Sequence, residues 1–244
     1  MRTMKHMHAP LFLGAAWAIV LLTSLAAASF AHDEILILYN ERPPYVVVEP
    51  GGKLSGLTAD PVCYAFEHSG LEHRWELTPS KRQFGLIESS MVKACAVGWF
   101  KNPERERIGK YSHAVYKDNS TVAVTKAGNA RMVSGKTLDA LFADKSLTLL
   151  TKGGFSYGPF IDGKIAQCAP VRMETVTENM DMLRFIQAGR ADYMFMAPEE
   201  AGALIATSAF KPGAFKLVTF SDMPKGESRY LLCSHLVSNC VNLQ

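Results

Sequence analysis

Apolar positions along the chain fall into short blocks separated by polar turns rich in Gly and Pro. Glu34–Tyr39 (EILILY) is a short apolar strand, stopped by Asn40-Glu41-Arg42-Pro43-Pro44, whose proline pair cannot continue a hydrogen-bond ladder. Tyr45 to Val48 continues extended into the turn Glu49-Pro50-Gly51-Gly52. Thr58 is placed to cap a helix of about ten residues with Cys63, Phe66 and Glu67 on successive turns and Gly70 as its stop. Arg74–Leu77 reads as a strand, Ser80–Glu88 as a helix and Ala94–Trp99 as a buried strand. A second series begins with a strand at Ser120–Thr125, a short helix capped by Thr137 and an apolar strand at Ser146–Leu150. That strand runs into a Gly-rich turn and a helix ending near Gln167. Thr177 is expected to cap a helix with Met180, Leu183 and Ile186 toward one side, followed by a strand at Tyr193–Met196. Pro198 sits in the first turn of the next helix, where its missing N–H costs nothing. The last strands fall at Phe215–Phe220 and Tyr230–Cys233, with a terminal helix after Ser234.

Strands alternating with short helices predict an α/β protein whose mostly parallel sheets are covered on both faces. In such sheets the ligand site lies beyond the carboxyl ends of the strands. Three polar segments stand there: Asn40–Tyr45, Trp99–Arg105 and Lys152–Tyr157.

The first 31 residues follow a different pattern. Arg2 and Lys5 precede an uncharged run from Leu11 to Ala31 that ends in small residues, the layout of a cleavable secretory signal peptide. Ser29-Phe30-Ala31 places cleavage after Ala31, with Ala26-Ala27-Ala28 as second choice. Cleavage removes two basic residues and no acidic one, so the formal charge of the 244-residue chain falls from +3 to +1. A near-neutral chain without basic runs argues against a nucleic-acid partner. With 48% hydrophobic residues the chain carries enough apolar surface for a folded core.

All five cysteines (Cys63, Cys95, Cys168, Cys233, Cys240) lie beyond the cleavage point, and cysteines of exported chains tend to pair. Their spacing matches no zinc motif, and no cofactor or metal is expected. A Cys63–Cys95 disulfide is expected, because the first helix should cover the strand that carries Cys95. Cys233 with Cys240 is a second possible pair, and Cys168 is the expected free thiol. Arg105, just past a buried strand, is suited to grip a carboxylate with paired charge-assisted hydrogen bonds. Gly154-Phe155-Ser156-Tyr157, a Gly-rich strand-to-helix turn, offers backbone N–H groups to an anion.

In its motifs the chain resembles the periplasmic solute-binding proteins of family 3, the amino-acid-binding type that serves ABC importers. The likeness rests on Pro43-Pro44-Tyr45, Gly56-Leu57-Thr58-Ala59-Asp60, Gly98 with Asn102-Pro103-Glu104-Arg105, Tyr111-Ser112-His113-Ala114-Val115-Tyr116, and Ile186-Gln187-Ala188-Gly189-Arg190-Ala191-Asp192. The resemblance implies a two-lobe periplasmic-binding-protein fold with a ligand cleft between the lobes. Lobe 1 would span 32–118 plus 222–244, and lobe 2 would span 119–221. It further implies a monomeric, periplasmic, non-enzymatic binder of a small carboxylate-bearing solute (an amino acid or related organic acid), partnered by an inner-membrane ABC permease or sensor.

Arg105 inherits the carboxylate clamp, Tyr45 the aromatic wall of lobe 1, and Ser156 with its neighbours the carboxylate contact of lobe 2. Glu41, Trp99, Phe100, Asn102, Gly154, Phe155 and Asn179 complete the expected ligand set together with Glu199. The family's ammonium-binding Asp has no counterpart, for that stretch reads Met196-Ala197-Pro198-Glu199. The ammonium clamp is therefore missing or moved to Glu199. Two further readings are a dehydratase-like enzyme on the same fold, using Glu199 or His113, and an orphan ligand-sensing accessory protein. Intact-mass measurement of the exported protein should give a chain starting near His32; a retained Met1 would overturn the signal-peptide reading.

Overall fold

The computed structural model describes residues 34–238, so the expected signal segment and Cys240 lie outside the described residues. From Glu34 onward the chain forms one compact unit. β1 (Ile35–Tyr39) is followed by the small hairpin β2 (Val47–Val48) and β3 (Leu54–Ser55), helix α1 (Ala59–Ser69), β4 (His73–Leu77), α2 (Ser80–Ser89) and β5 (Ala94–Trp99). Helix α3 (Pro103–Ile108) and β6 (Lys110–Lys117) lead to a first crossover. The second series runs β7 (Val122–Lys126), α4 (Leu138–Ala143), β8 (Leu149–Lys152), α5 (Pro159–Cys168), β9 (Arg172–Thr175), α6 (Asn179–Gln187), β10 (Tyr193–Met196), α7 (Pro198–Thr207) and β11 (Phe215–Val218). The chain then crosses back into β12 (Ser228–Cys233).

Two five-stranded sheets result, ordered β4-β1-β5-β12-β6 and β11-β7-β10-β8-β9. Each is mixed. β1 runs parallel to β4 and β5, and β8 runs parallel to β9 and β10. The strands adjoining the crossovers, β6, β7, β11 and β12, pair antiparallel. The two connections between the sheets pack backbone to backbone: the Asp118 N–H donates to Glu227 O at 2.9 Å. A Cβ on Gly226 would lie 1.6 Å from Asp118 O, so only glycine fits there.

Alternation along each strand sends side chains to both faces, and both faces are buried. Ile35 and Ile37 pack with Ala59, Val62 and Phe66 of α1, whereas Leu38 packs with Ile87 of α2. Tyr193 and Phe195 join Leu141 and Phe142 of α4, whereas Met194 and Met196 join Leu183 and Ile186 of α6. This is the strand pattern of sheets covered on both sides.

Several sequence expectations shift on contact with the structure. Thr58 occupies the N-cap of α1, yet its hydroxyl donates to Tyr45 O at 3.0 Å instead of capping the helix. Glu178, not Thr177, stands at the N-cap of α6, and Met182, not Met180, is the buried methionine. After Ser234 the described residues form a turn closed by Val237 N–H to Ser234 O, not a helix.

The expected Cys63–Cys95 disulfide does not form. Cys95 bonds Cys233, while Cys63 and Cys168 are free. The inward face of α1 is Ala59, Val62 and Phe66, so Cys63 is rotated one residue away from the sheet. Cys95 and Cys233 are instead direct partners across the antiparallel β5–β12 pair. Because Cys233 is taken, the alternative Cys233–Cys240 pairing is excluded as well. The bond closes a loop with a sequence separation of 138 residues. Replacing both Cys95 and Cys233 by Ala should cost about 2–5 kcal/mol in denaturant unfolding. Peptide mapping without reductant should recover Cys95 linked to Cys233, and recovery of a Cys63–Cys95 peptide would refute this pairing.

Candidate functional site

The carboxyl ends of β1, β5 and β8 each release a segment, and these segments carry most of the candidate residues expected from the sequence. After β1 the loop contains a cis Pro43–Pro44 bond, and Arg42 bridges to Val46. Tyr45 O then accepts N–H bonds from Thr58 and Ala59, which fixes the turn against the start of α1. Tyr45 is 2% exposed, and among the described residues its hydroxyl has no hydrogen-bond partner. Burial raises its pKa well above the usual tyrosine value.

After β5, Gly98 has φ +80°, a left-handed conformation that suits glycine and turns the chain at the strand end. Asn102 then caps α3, accepting the Arg105 N–H at 2.8 Å. That cap sets Arg105 in the first helical turn with only 7% exposure. Its guanidinium lies 4.5 Å from the Trp99 ring and donates from Nη1 to Phe100 O at 3.0 Å. Among the described residues no carboxylate lies within ion-pair distance of it. Burial accordingly lowers its pKa, with the charge of Asp162 acting in the opposite sense.

After β8 the Gly-rich loop turns several of its donors back on the chain. Ser156 Oγ and the Tyr157 N–H (2.9 Å) both donate to the Asp162 carboxylate, and the Gly158 N–H donates to Ser156 Oγ at 3.2 Å. The Tyr157 hydroxyl oxygen accepts the Lys152 N–H at 2.8 Å, and burial pushes its pKa up to about 12.

Two ion pairs hold the centre. Arg42 donates from Nε and Nη2 to the two oxygens of Glu200 at 2.6 and 2.8 Å, joining the β1 loop to the first turn of α7. Asn179 Nδ2 adds a third bond to Glu200 at 2.7 Å. The Glu200 side chain is 1% exposed and that of Arg42 25%. Burial opposes ionisation of Glu200, but the charge and hydrogen bond of Arg42 outweigh it, and the carboxyl pKa falls below its usual 4.5. Arg229, on β12, holds Asp118 through Nε–Oδ1 and Nη2–Oδ2 contacts of 2.7 Å each. Its guanidinium lies over two rings, 3.8 Å from the centre of Tyr45 and 4.5 Å from that of Phe100.

These groups line a cavity of about 30 Å³ between the two sheets, shared by Arg42, Phe100, Asp118, Phe155, Glu200 and Arg229. Of the sequence candidates, Phe100, Phe155, Ser156 and Asn179 reach this cavity. Tyr45 lies beside it under the two arginines, Trp99 supports Arg105, and Asn102 is a cap. Glu41 is exposed. Gly154 lines a different, open groove of about 650 Å³ between α5 and the β9 edge. Glu199 is engaged outside the cavity, accepting from Tyr116 Oη at 3.2 Å and the Asn119 N–H at 3.0 Å. His113 is exposed on β6. Sequence reasoning missed Arg42, Asp118, Glu200 and Arg229. Arg42 and Glu200 each sit one residue from a chosen candidate, whereas Asp118 and Arg229 meet only through the two crossovers. Among the described residues no group of three or more His, Cys, Asp or Glu side chains is placed to hold a metal ion, and no helix is long and apolar enough to cross a membrane.

No protein-family model and no curated protein sequence matches the chain. Solved structures do. An ancestral arginine-binding protein bound to arginine superposes with a TM-score of 0.67 at 16% identity, over 86% of this chain and 88% of that one. Holo ArgBP from T. maritima gives 0.66 at 15%, covering 87% and 88%. EhuB in complex with hydroxyectoine gives 0.66 at 19%, covering 84% and 77%. The chain therefore has the two-lobe α/β fold of the periplasmic binding proteins.

Proposed function

We propose that this protein is a divergent member of the amino-acid-type solute-binding family. In this reading it captures a small carboxylate-bearing solute between two lobes and presents it to an inner-membrane ABC permease or sensor. Lobe 1 comprises residues 32–118 and 222–244, and lobe 2 residues 119–221, with the paired crossovers at Asp118–Thr121 and Thr219–Glu227 as the hinge. The chain is exported to the periplasm by its cleavable signal segment and acts as a monomeric binder, not an enzyme. The binding roles of the fold neighbours, one bound to arginine and another to hydroxyectoine, support this reading.

The observation that carries the reading is Arg105. A guanidinium with 7% exposure, stacked on Trp99 and, among the described residues, hydrogen-bonded from its side chain to one carbonyl, retains donors suited to a planar anion. Arg105 is not itself among the residues lining the small cavity, but it is bonded to the carbonyl of Phe100, which is. A carboxylate reaching this buried group would supply the missing countercharge away from bulk water, where such a pair is stronger. A thermal-shift panel of small organic acids, followed by calorimetry on the best acid, tests this directly. Arg105→Ala should lose about 2–5 kcal/mol, or roughly 30-fold to several thousand-fold in affinity. Arg105→Lys should also bind poorly, because an ammonium lacks the planar fork. The exposed Arg107 is the control, and Arg107→Ala should match wild type. Wild-type affinity in Arg105→Ala would refute the clamp.

Closure has its own pH signature. Glu200 titrates below its usual 4.5, so the stability from its pair with Arg42 is complete above that pH and is lost as pH falls through the depressed value. Glu200→Gln should unfold more easily at pH 7 by about 2–4 kcal/mol, less than a fully sealed pair because Arg42 is partly exposed. The gap to wild type should narrow on acidification below about pH 4.5. A gap independent of pH, read by thermal melts from pH 7 to pH 3, would contradict the assignment.

A further inference from the structure

β9 (Arg172–Thr175) is the last strand of the second sheet, and no strand among the described residues pairs with its outer side. On its inner side it runs parallel to β8, with the Leu149 N–H donating to Val171 O at 2.9 Å and the Gly153 N–H to Thr175 O at 2.8 Å. That ladder turns the backbone groups of Val171, Met173 and Thr175 toward β8 and those of Arg172 and Glu174 outward. Arg172, Met173 and Glu174 are exposed along this edge. On β4, another edge strand, Arg74 is answered within the chain by Glu34 and Glu76. Among the described residues, neither Arg172 nor Glu174 has an ion-pair or hydrogen-bond partner for its side chain. Apolar side chains lie open beside them: Val171 at 42%, Met173 at 36% and Val176 at 83% exposure. The open groove of about 650 Å³ follows the same edge, lined in part by Ile165, Ala166, Ala169 and Pro170.

We propose that this edge pairs with the β9 edge of a second copy of the chain, antiparallel about a two-fold axis at Met173, joining the second sheets of the two copies edge to edge. Backbone and charge together set the register. Only residues with outward backbone groups exchange hydrogen bonds across the axis, so Arg172 and Glu174 must face members of that same set. A centre at residue 172 sets Arg172 against the partner's Arg172, and a centre at residue 174 sets Glu174 against the partner's Glu174. A centre at Met173 sets each Arg172 opposite the partner's Glu174, twice over, and lays the two methionines side by side. Like charges directly opposed destabilise a strand pair and unlike charges support it, so of the three registers the edge is self-complementary in this one. Val176 then comes opposite the partner's Pro170 at the groove wall, an apolar neighbour for a side chain otherwise open to water. An unpaired strand edge is a template for such pairing. A contact this short belongs to the small, transient class of interfaces, below about 1,200 Å² of buried surface. Association is therefore reversible, and the single chain remains the binding unit. β9 also lies at the far side of its sheet from β7 and β11, which adjoin the crossovers, so pairing leaves the connections between the sheets free. The inference does not depend on the carboxylate-binding reading above.

Sedimentation velocity on the mature chain, from about 1 μM to about 1 mM, tests this with charge variants whose folding is checked by thermal melts. Wild type should pass from monomer to dimer as concentration rises, with no covalent dimer on a non-reducing gel. Arg172→Glu and Glu174→Arg each set like charges opposite one another and should weaken the dimer about tenfold or more. The double variant Arg172→Glu/Glu174→Arg restores both unlike pairs about the Met173 axis and should dimerise as wild type does. An equimolar mixture of the two single variants should associate likewise. Met173→Cys, in a background with Cys63, Cys168 and Cys240 replaced by Ser, should give a disulfide-linked dimer on mild oxidation. Val171→Cys in that background should not, because its counterpart in the second copy lies four residues further along the strand. A wild type that stays monomeric throughout, leaving the edge to an extended segment of another protein, would overturn the inference. So would a dimer present only in disulfide-linked form, a dimer indifferent to the single charge variants, or equal cross-linking at Val171→Cys and Met173→Cys.

Discussion

A guanidinium removed from water is tolerable only beside an anion or a ring, and three arginines meet this constraint, two of them in the cavity between the sheets and one on the helix that follows β5. Arg229 meets it fully, with Asp118 on its edge and the Tyr45 and Phe100 rings against it. Arg42 meets it by reaching across to Glu200. Arg105 meets it in part, with the Trp99 ring and one carbonyl. Much of the surrounding architecture serves these three placements: the Asn102 cap aims Arg105, the Tyr45 turn supports Arg42, and the return strand β12 delivers Arg229 beneath the first crossover. A buried ion pair adds little net stability compared with well-packed apolar side chains, so these pairs define an arrangement more than they strengthen it.

On the proposed reading, the Arg42–Glu200 pair would also shape the energetics of closure. A contact that joins the two lobes through the chain's own side chains stabilises the closed form whether or not solute is present. A ligand then shifts the equilibrium only by its preference for the closed form over the open one. Preorganisation of this kind lowers the ordering cost of binding.

The fold was largely legible because apolar blocks and turn residues mark strands such as Ile35–Tyr39 and Tyr193–Met196 unambiguously. Elements without such blocks were not. β9 (Arg172–Thr175) is an edge strand exposed along most of its length, so it carries no apolar face to detect. The helix at Pro103–Ile108 carries no apolar periodicity to announce it, although Asn102 followed by Pro103 is a usable helix-start signal. The candidate site was legible in its loops but not in its pairings. Adjacent residues on a helix differ by about 100° in direction, so Glu199 and Glu200 look alike in sequence and point to different partners. The Cys95–Cys233 bond and the Asp118–Arg229 pair depend on β12 returning beside β5 and β6, a fact of topology that local pattern does not contain.

That return has a mechanical meaning. Both ends of the described chain, β1 and β12, belong to the same sheet, and β5 lies between them. The Cys95–Cys233 bond fastens β5 to β12 directly. Tension applied between the two ends therefore runs through the β1–β5 ladder and the sulfur bridge, bypassing the excursion from β6 to β11. The second sheet is an insert outside that line of force, and the first bears any pull on the chain.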